Sequence, residues 1–152
     1  MTRILVLFLT LTFAAPSAWA ADNNGLINKQ SPYTVKKTLN RLEKILRSKG
    51  ITIVKRWSHD GGAKKVGIPL RPTELLIFGN PKLGSHFFTS NQAAGIDLPM
   101  KALAWKDEAG QVWLTYNDPQ YIADRHGIKD RDEVVKKMSA ALDGMTNEAV
   151  AK

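Results

Sequence analysis

The chain has 152 residues, a formal net charge of +8 and no cysteine. That length gives one domain with a single core, and the missing cysteine excludes disulfides, thiol nucleophiles and cysteine-ligated metals. The basic excess favours anionic partners, but Lys29, Lys36, Lys37, Arg41, Lys44, Arg47 and Lys49 recur at helix-surface spacing, which reads as a solvated face rather than a nucleic-acid footprint.

The first residues follow the secretory pattern: Arg3, an apolar run from Ile4 to Ala15, Pro16, then the small-residue site Ala18-Trp19-Ala20. The run is shorter than the roughly 20 apolar residues that cross a bilayer. We therefore read residues 1–20 as a cleaved signal peptide. Its removal takes Arg3 and leaves a net charge of +7. The expectation is a secreted, periplasmic protein with no stable membrane insertion after cleavage and no nucleic-acid partner. Residues 21–30 form an N-terminal segment with a candidate first strand, residues 31–145 the domain, and residues 146–152 a polar tail.

That first strand is Leu26 to Gln30, between the breakers Gly25 and Ser31-Pro32. From Ser31 the period becomes helical, with Val35, Leu39, Leu42 and Leu46 on one face. Ser31 or Thr34 serves as cap, Pro32 suits the first turn and Gly50 is the stop. Ile51 to Trp57 reads as a strand, Ser58 to Gly62 as a polar, flexible end, and Ala63 to Gly67 as a short helical turn. Leu75 to Phe78 is too short for a helix and lies between Pro72 and Gly79-Asn80-Pro81, which predicts a buried central strand. Asn80 then caps, and Pro81 opens, a helix running toward Gln92.

Lys101 to Lys106 and Gln111 to Tyr116, joined by Asp107-Glu108-Ala109-Gly110, predict a β-hairpin. Leu103 and Trp105 share one face of the first arm, and Val112, Leu114 and Tyr116 share one face of the second. We read the aromatics as core. Asp118 and Pro119 start a helix stopped by Gly127. Asp130 and Glu133 form a capping box for the last helix, whose stripe is Val134, Met138, Ala141 and Met145. These elements predict an α+β single domain, a mainly antiparallel sheet of four to five strands covered by helices.

Three strand ends are polar: Ser58-His59-Asp60, Gly79-Asn80-Pro81 and Asn117-Asp118-Pro119. Open helix amides attract an anion where such ends converge, although antiparallel neighbours put successive ends on opposite edges. The candidate ligand-binding residues are Arg71, Glu74, Asn80, Asp97, Lys101, Asp118 and His59. Arg71 with Glu74 or Asp97 forms either a structural ion pair or a carboxylate clamp. His59, beside Asp60, is a candidate acid/base or metal ligand, with a structural hydrogen bond as the commoner role. The spacing of His59, His86 and His126 matches no ligand motif, so no metal is assigned, with His59 and His126 as weak candidates. No nucleophilic triad or phosphate-binding glycine loop is present, and catalytic residues and cofactors stay unassigned.

The segments Gly67 to Pro81, Gly95 to Leu103 and Tyr116-Asn117-Asp118-Pro119 resemble the prokaryotic domain-of-unknown-function family 302. The likeness spans Ser31 to Gly127. His59 and His126 fall where that family carries histidine, whereas His86-Phe87 departs from its usual Pro-Leu, so no role for His86 is carried over. The resemblance implies an α+β domain, a possible dimer and no established activity. The functional expectation is non-enzymatic binding of a small anionic ligand or metabolite. The alternatives are an enzyme using His59 with Glu74 or Asp97, a metal-binding protein using His59 and His126, or a structural homodimer.

Overall fold

In the computed structural model the structure describes residues 24–152; the signal-peptide reading of residues 1–20 lies outside the described residues. Five strands form one antiparallel sheet in the order β1-β5-β4-β3-β2, where β1 is Leu26–Ser31, β2 Thr52–Ser58, β3 Thr73–Gly79, β4 Met100–Lys106 and β5 Val112–Asn117. The helices are α1 (Val35–Ser48), α2 (His59–Lys65), α3 (Pro81–Ser90), α4 (Pro119–Arg125) and α5 (Asp132–Val150). A 3-10 turn, Gln92–Ile96, links α3 to β4. The α+β reading and the strand count hold.

Helix α1 forms because its apolar residues recur on one face, burying Val35, Leu39, Leu42 and Leu46, with Thr38 and Ile45 beside them. Each buried Leu stabilises by about 1.5–3 kcal/mol. The face packs across β2, β3, β4 and β5 and against α5. Gly50 ends the helix at φ +70°, a left-handed conformation that costs glycine little. Thr34 is its cap, accepting from the Lys37 amide at 3.2 Å. Ser31 is instead the last residue of β1, buried, with its hydroxyl 2.6 Å from Thr38 Oγ1. Because Thr38 Oγ1 donates to Thr34 O, Ser31 donates to Thr38 and accepts from the Tyr33 amide. Pro32 therefore sits in the β1–α1 connection, outside the helix.

Strand β3 lies between β2 and β4, as its unbroken apolar run predicts. Leu76 and Phe78 face the helices, together with Met100, Ala102 and Ala104 of β4 and Val112, Leu114 and Tyr116 of β5. The hairpin arms pair Trp105 with Trp113 and Leu103 with Thr115. Trp105 and Trp113 stack at 6.5 Å on the opposite face, which no helix covers among the described residues. The aromatics thus divide: Tyr116 is core, and the two tryptophans are half-buried on the open side.

Five further expectations change. Ser58 to Gly62 is ordered: the Ser58 hydroxyl accepts from the Gly61 amide at 2.8 Å and starts α2 at His59. Helix α5 starts at Asp132 without a side-chain cap, because Asp130 pairs with Arg131 and Glu133 with Lys136. Its buried stripe is Val135, Met138, Leu142, Met145, Thr146 and Ala149, one residue on from Val134 and Ala141, and the helix continues through the expected polar tail to Val150. Lys29 likewise leaves the solvated set. It lies on the covered face of β1, and its ammonium reaches Asp143 Oδ1 at 2.7 Å and Asn147 Oδ1 at 2.6 Å on α5.

Candidate ligand-binding site

The antiparallel order divides the candidate residues between two ends of the sheet. One end holds the close of β3, the starts of β2 and β4 and the close of β5, hence Asn80, Asp97, Lys101 and Asp118. The other holds the close of β2 and the start of β3, hence His59, Arg71 and Glu74. The seven do not form one site.

Six of the seven residues, all but His59, have a local partner. Glu74 accepts from Arg56 Nε at 2.7 Å, and that guanidinium also reaches Asn40 Oδ1 at 2.6 Å on α1. Arg71, half-exposed, donates to Lys106 O at 3.1 Å and lies 3.6 Å from Glu108. The Arg71–Glu74 and Arg71–Asp97 pairings are therefore replaced by Arg71–Glu108, Arg56–Glu74 and Asp97–His126. The Asp97 carboxylate accepts from His126 Nε2 at 2.7 Å, with Arg125 at 3.4 Å. Lys101 Nζ donates to Asp97 O at 2.9 Å. His59 and His126 lie at opposite ends of the sheet, and among the described residues no group of three His, Asp or Glu is arranged to hold a metal ion.

The helix starts are also satisfied from within. At α3, Asn80 Oδ1 accepts from the Lys82 amide at 2.9 Å, and Asn80 O accepts from Leu83 and Gly84. At α4, Asp118 Oδ1 accepts from Gln120 at 2.9 Å, and its carboxylate repels a second anion. Both residues cap, and neither end presents the cluster of open amides that an anion needs.

What the Asn80 end does contain is a cavity of about 250 Å³. Leu83, Gly84 and Phe88 of α3 form one wall, and Leu98, Pro99 and Met100 another. Thr52 and Val54 of β2 stand at its edge, and Met138 of α5 forms the floor. Asn80 and Ser85 supply polar atoms. A smaller recess of about 50 Å³ shares Gly79, Asn80, Met100 and Met138 and continues toward Met145 between sheet and α5. A mainly apolar cavity with a few polar groups is the usual form of a small-molecule site, although typical ones are larger, about 300–1,000 Å³. Gly84 lines it without a side chain, and a Cβ there would meet only Phe88, at 4.0 Å.

Perturbed acids and bases do not gather here. Asp60 is held below its ordinary value by the Ser58 hydroxyl, Asp107 by the Trp113 indole and Asp143 by Lys29, while Lys136 is raised by Glu133. Burial raises the Tyr116 phenol. None of these groups lines the cavity.

The sequence reading missed Gly84, Phe88, Leu98, Met100 and Met138 as site residues. Its one usable signal was a glycine inside a helix, which leaves space against a neighbouring element.

The fold is an α+β domain built on an open antiparallel sheet, with an apolar cavity at one sheet end. The chain belongs to the family described as domain of unknown function DUF302, whose model matches residues 27–145. A crystal structure of an uncharacterized conserved DUF302 protein from Bacillus stearothermophilus superposes with a TM-score of 0.75 at 16% identity, covering 83% of this chain and 98% of that one. The chain is also 39% identical over 128 residues to proteins named fluoride-specific ion channel FluC 1 from Brucella suis and Brucella abortus. The match covers 84% of this chain but only 50% and 47% of those proteins, so the chain spans about half the length of these curated relatives.

Proposed function

We propose that this is an exported, non-enzymatic binding domain whose cavity beside Gly84 takes a small apolar or amphipathic molecule. The observation that carries the reading is the cavity itself, lined by Leu83, Phe88, Leu98 and Met100, with room for a side chain at residue 84. Apolar walls discriminate by size and hydrophobicity, and methionines adapt to irregular ligands. An anion as the sole ligand is less well supported, because Lys101 and Arg125 are engaged with Asp97 and the helix starts are capped. The acid–base reading is weakened by geometry: His59 is separated by the length of the sheet from Asp97, and Glu74 is engaged by Arg56.

The Brucella relatives support a place beside a membrane. A protein that conducts ions has to span one, and among the described residues of this chain no helix is long and apolar enough to do so. The match covers only 50% of the Brucella suis relative, which leaves the other half of that protein for such a part.

Gly84→Leu tests the cavity. The substitution fits the helix and fills the space, so the parent should bind decanoate saturably, measured by displacement of anilinonaphthalene sulfonate. The variant should lose about tenfold or more in affinity with an undiminished melting temperature. Equal affinity in parent and variant, or no saturable binding by the parent, would overturn the reading.

A homodimer is the second reading, favoured by the sheet face that no helix covers among the described residues. Leu75, Ile77, Leu103, Trp105 and Trp113 are only half-buried there, and Trp57 is 53% exposed. Five strands at about 4.8 Å spacing and six residues long give a footprint of roughly 500 Å², which is of the order that one partner of a standard interface contributes. Sedimentation velocity of Leu103→Glu against the parent decides it: a parent dimer that becomes monomeric supports this face, and a monomeric parent removes the reading.

A further inference from the structure

Away from the cavity, at the opposite end of the sheet, the connection from α2 to β3 places its large apolar side chains in water. Val66 is 71% exposed, Ile68 59% and Leu70 49%. Three such residues within five is a concentration that a soluble surface does not normally carry without a partner. Their exposure is not a product of slack chain. The Val66 and Ile68 amides donate to Ala63 O and the Gly67 amide to Lys64 O, while Gly67 turns the chain at φ +75°. At the far side, Lys106 N donates to Pro72 O at 3.1 Å, and Thr73 Oγ1 donates to Arg71 O at 2.8 Å. The segment is pinned at both ends and holds its apolar groups outward.

Cations frame it. Lys64 and Lys65 close α2, and Arg71 follows Leu70. Lys64, Ile68, Leu70 and Arg71 line one broad open depression, and Lys65 shares a neighbouring one with Lys55 and the exposed Trp57. The acids nearby are fewer: Asp60 lies in the first depression, bonded to Ser58, and Glu108 stands 3.6 Å from Arg71 at 89% exposure. Apolar side chains presented within a positively framed surface match the boundary of an anionic bilayer, where the side chains enter the acyl edge and the cations meet headgroup phosphates. Tryptophan is favoured at that depth.

We propose that the Val66–Leu70 loop is a peripheral docking surface for an anionic lipid bilayer, with Lys64, Lys65 and Arg71 supplying the charge match. The domain lies on the membrane and does not span it. The inference goes beyond the ligand reading and does not depend on it, since the cavity is at the other end of the sheet.

The test is flotation with vesicles of phosphatidylcholine, with and without phosphatidylglycerol, at low and high salt. The full chain is compared with Ile68→Ser/Leu70→Ser, both carrying the same first 23 residues so that the apolar run near the start contributes equally. The parent should float with phosphatidylglycerol vesicles and be released by salt. The double variant, whose changes are on the surface and whose fold is checked by circular dichroism, should bind about tenfold or more weakly. Lys64→Gln/Lys65→Gln should weaken binding and flatten its salt dependence. Equal flotation of parent and double variant, or no flotation of the parent, would overturn the proposal. A parent that stays in solution as a dimer and becomes monomeric in the double variant would also overturn it, assigning the loop to a second copy of the chain.

Discussion

Asp97 Oδ2 and His126 Nε2 lie 2.7 Å apart with side chains only 13% and 9% exposed, and their bond ties the end of α4 to the segment that leads into β4. The same corner is closed from two other sides. Lys101 Nζ donates to Asp97 O at 2.9 Å, and Asn91 Nδ2 donates to His126 O at 2.9 Å. These bonds hold the end of α4, the segment before β4 and the end of α3 against one another. We expect His126→Ala or Asp97→Ala to cost about 1.5–3 kcal/mol in urea denaturation at neutral pH, the range for a hydrogen bond to a charged group. The double variant should cost clearly less than the two singles combined. Strict additivity would remove the direct coupling.

Glu74 and Arg56 give a parallel case at the other end of the sheet. Arg56 lies 25% and Glu74 20% exposed, with Nη2 to Oε2 at 2.6 Å, and the guanidinium continues to Asn40 Oδ1 and Lys36 O on α1. Helix and sheet are cross-linked through one arginine. Glu74→Ala should cost on the order of 1–3 kcal/mol, because it leaves a partly buried guanidinium short of its acceptor, and Glu74→Gln should cost less. A loss of stability with ligand affinity at the Gly84 cavity unchanged separates the structural role from a binding one.

The parts of this fold legible in the sequence are those where one residue type meets one physical need. Asn80-Pro81 and Asp118-Pro119 start α3 and α4, and Gly50 and Gly127 stop α1 and α4 at φ +70° and +62°. Ser31 was ambiguous because a serine before a helical period suits both a cap and a buried strand end; its contact with Thr38 depends on how α1 folds back over β1. His59-Asp60-Gly61-Gly62 reads as flexible because two glycines outweigh one cap, yet Ser58 holds the turn. In α5 both Val134 and Val135, and both Ala141 and Leu142, fit a helical period, and only packing selects the second of each. Alternation put Leu103 and Trp105 on one face but contains nothing to say which face receives the helices. The cavity was least legible, since its walls come from β2, α3, the Leu98–Met100 segment and α5, joined only by folding.

Lys29 and Asp143 provide a pH-dependent readout. The Asp143 carboxyl is held below its ordinary value of 3.8, chiefly by the hydrogen bond from Lys29 and then by its charge. A depressed carboxylate contributes stability that is present above the unfolded value and is lost as pH falls through the lower native one. In a Lys29→Met variant, carbon-detected NMR should find Asp143 titrating higher, back toward 3.8, and the acid limb of the stability curve should flatten. An unmoved Asp143 titration would detach the carboxylate from Lys29.

The β4–β5 turn depends on Asp107 in the same sense but through neutral donors. Its Oδ1 accepts from the Gln111 amide at 2.8 Å and its Oδ2 from the Trp113 indole at 2.8 Å, while Gly110 completes the turn at φ +84°. The indole is the main reason that the carboxyl sits below 3.8. Asp107→Ala removes both acceptors and should lower the melting temperature near neutral pH. Because the native carboxyl titrates below the unfolded one, that contribution is present above 3.8 and disappears as pH falls through the native value. The gap in melting temperature between parent and variant should therefore be widest near neutral pH and narrow as pH falls below 3.8. Gly110→Ala is the control: its cost of about 1–2 kcal/mol comes from a left-handed backbone and carries no proton, so it should persist across that range. A gap for Asp107→Ala that is equally wide across it would mean that the carboxyl's charge state plays no part in holding the hairpin.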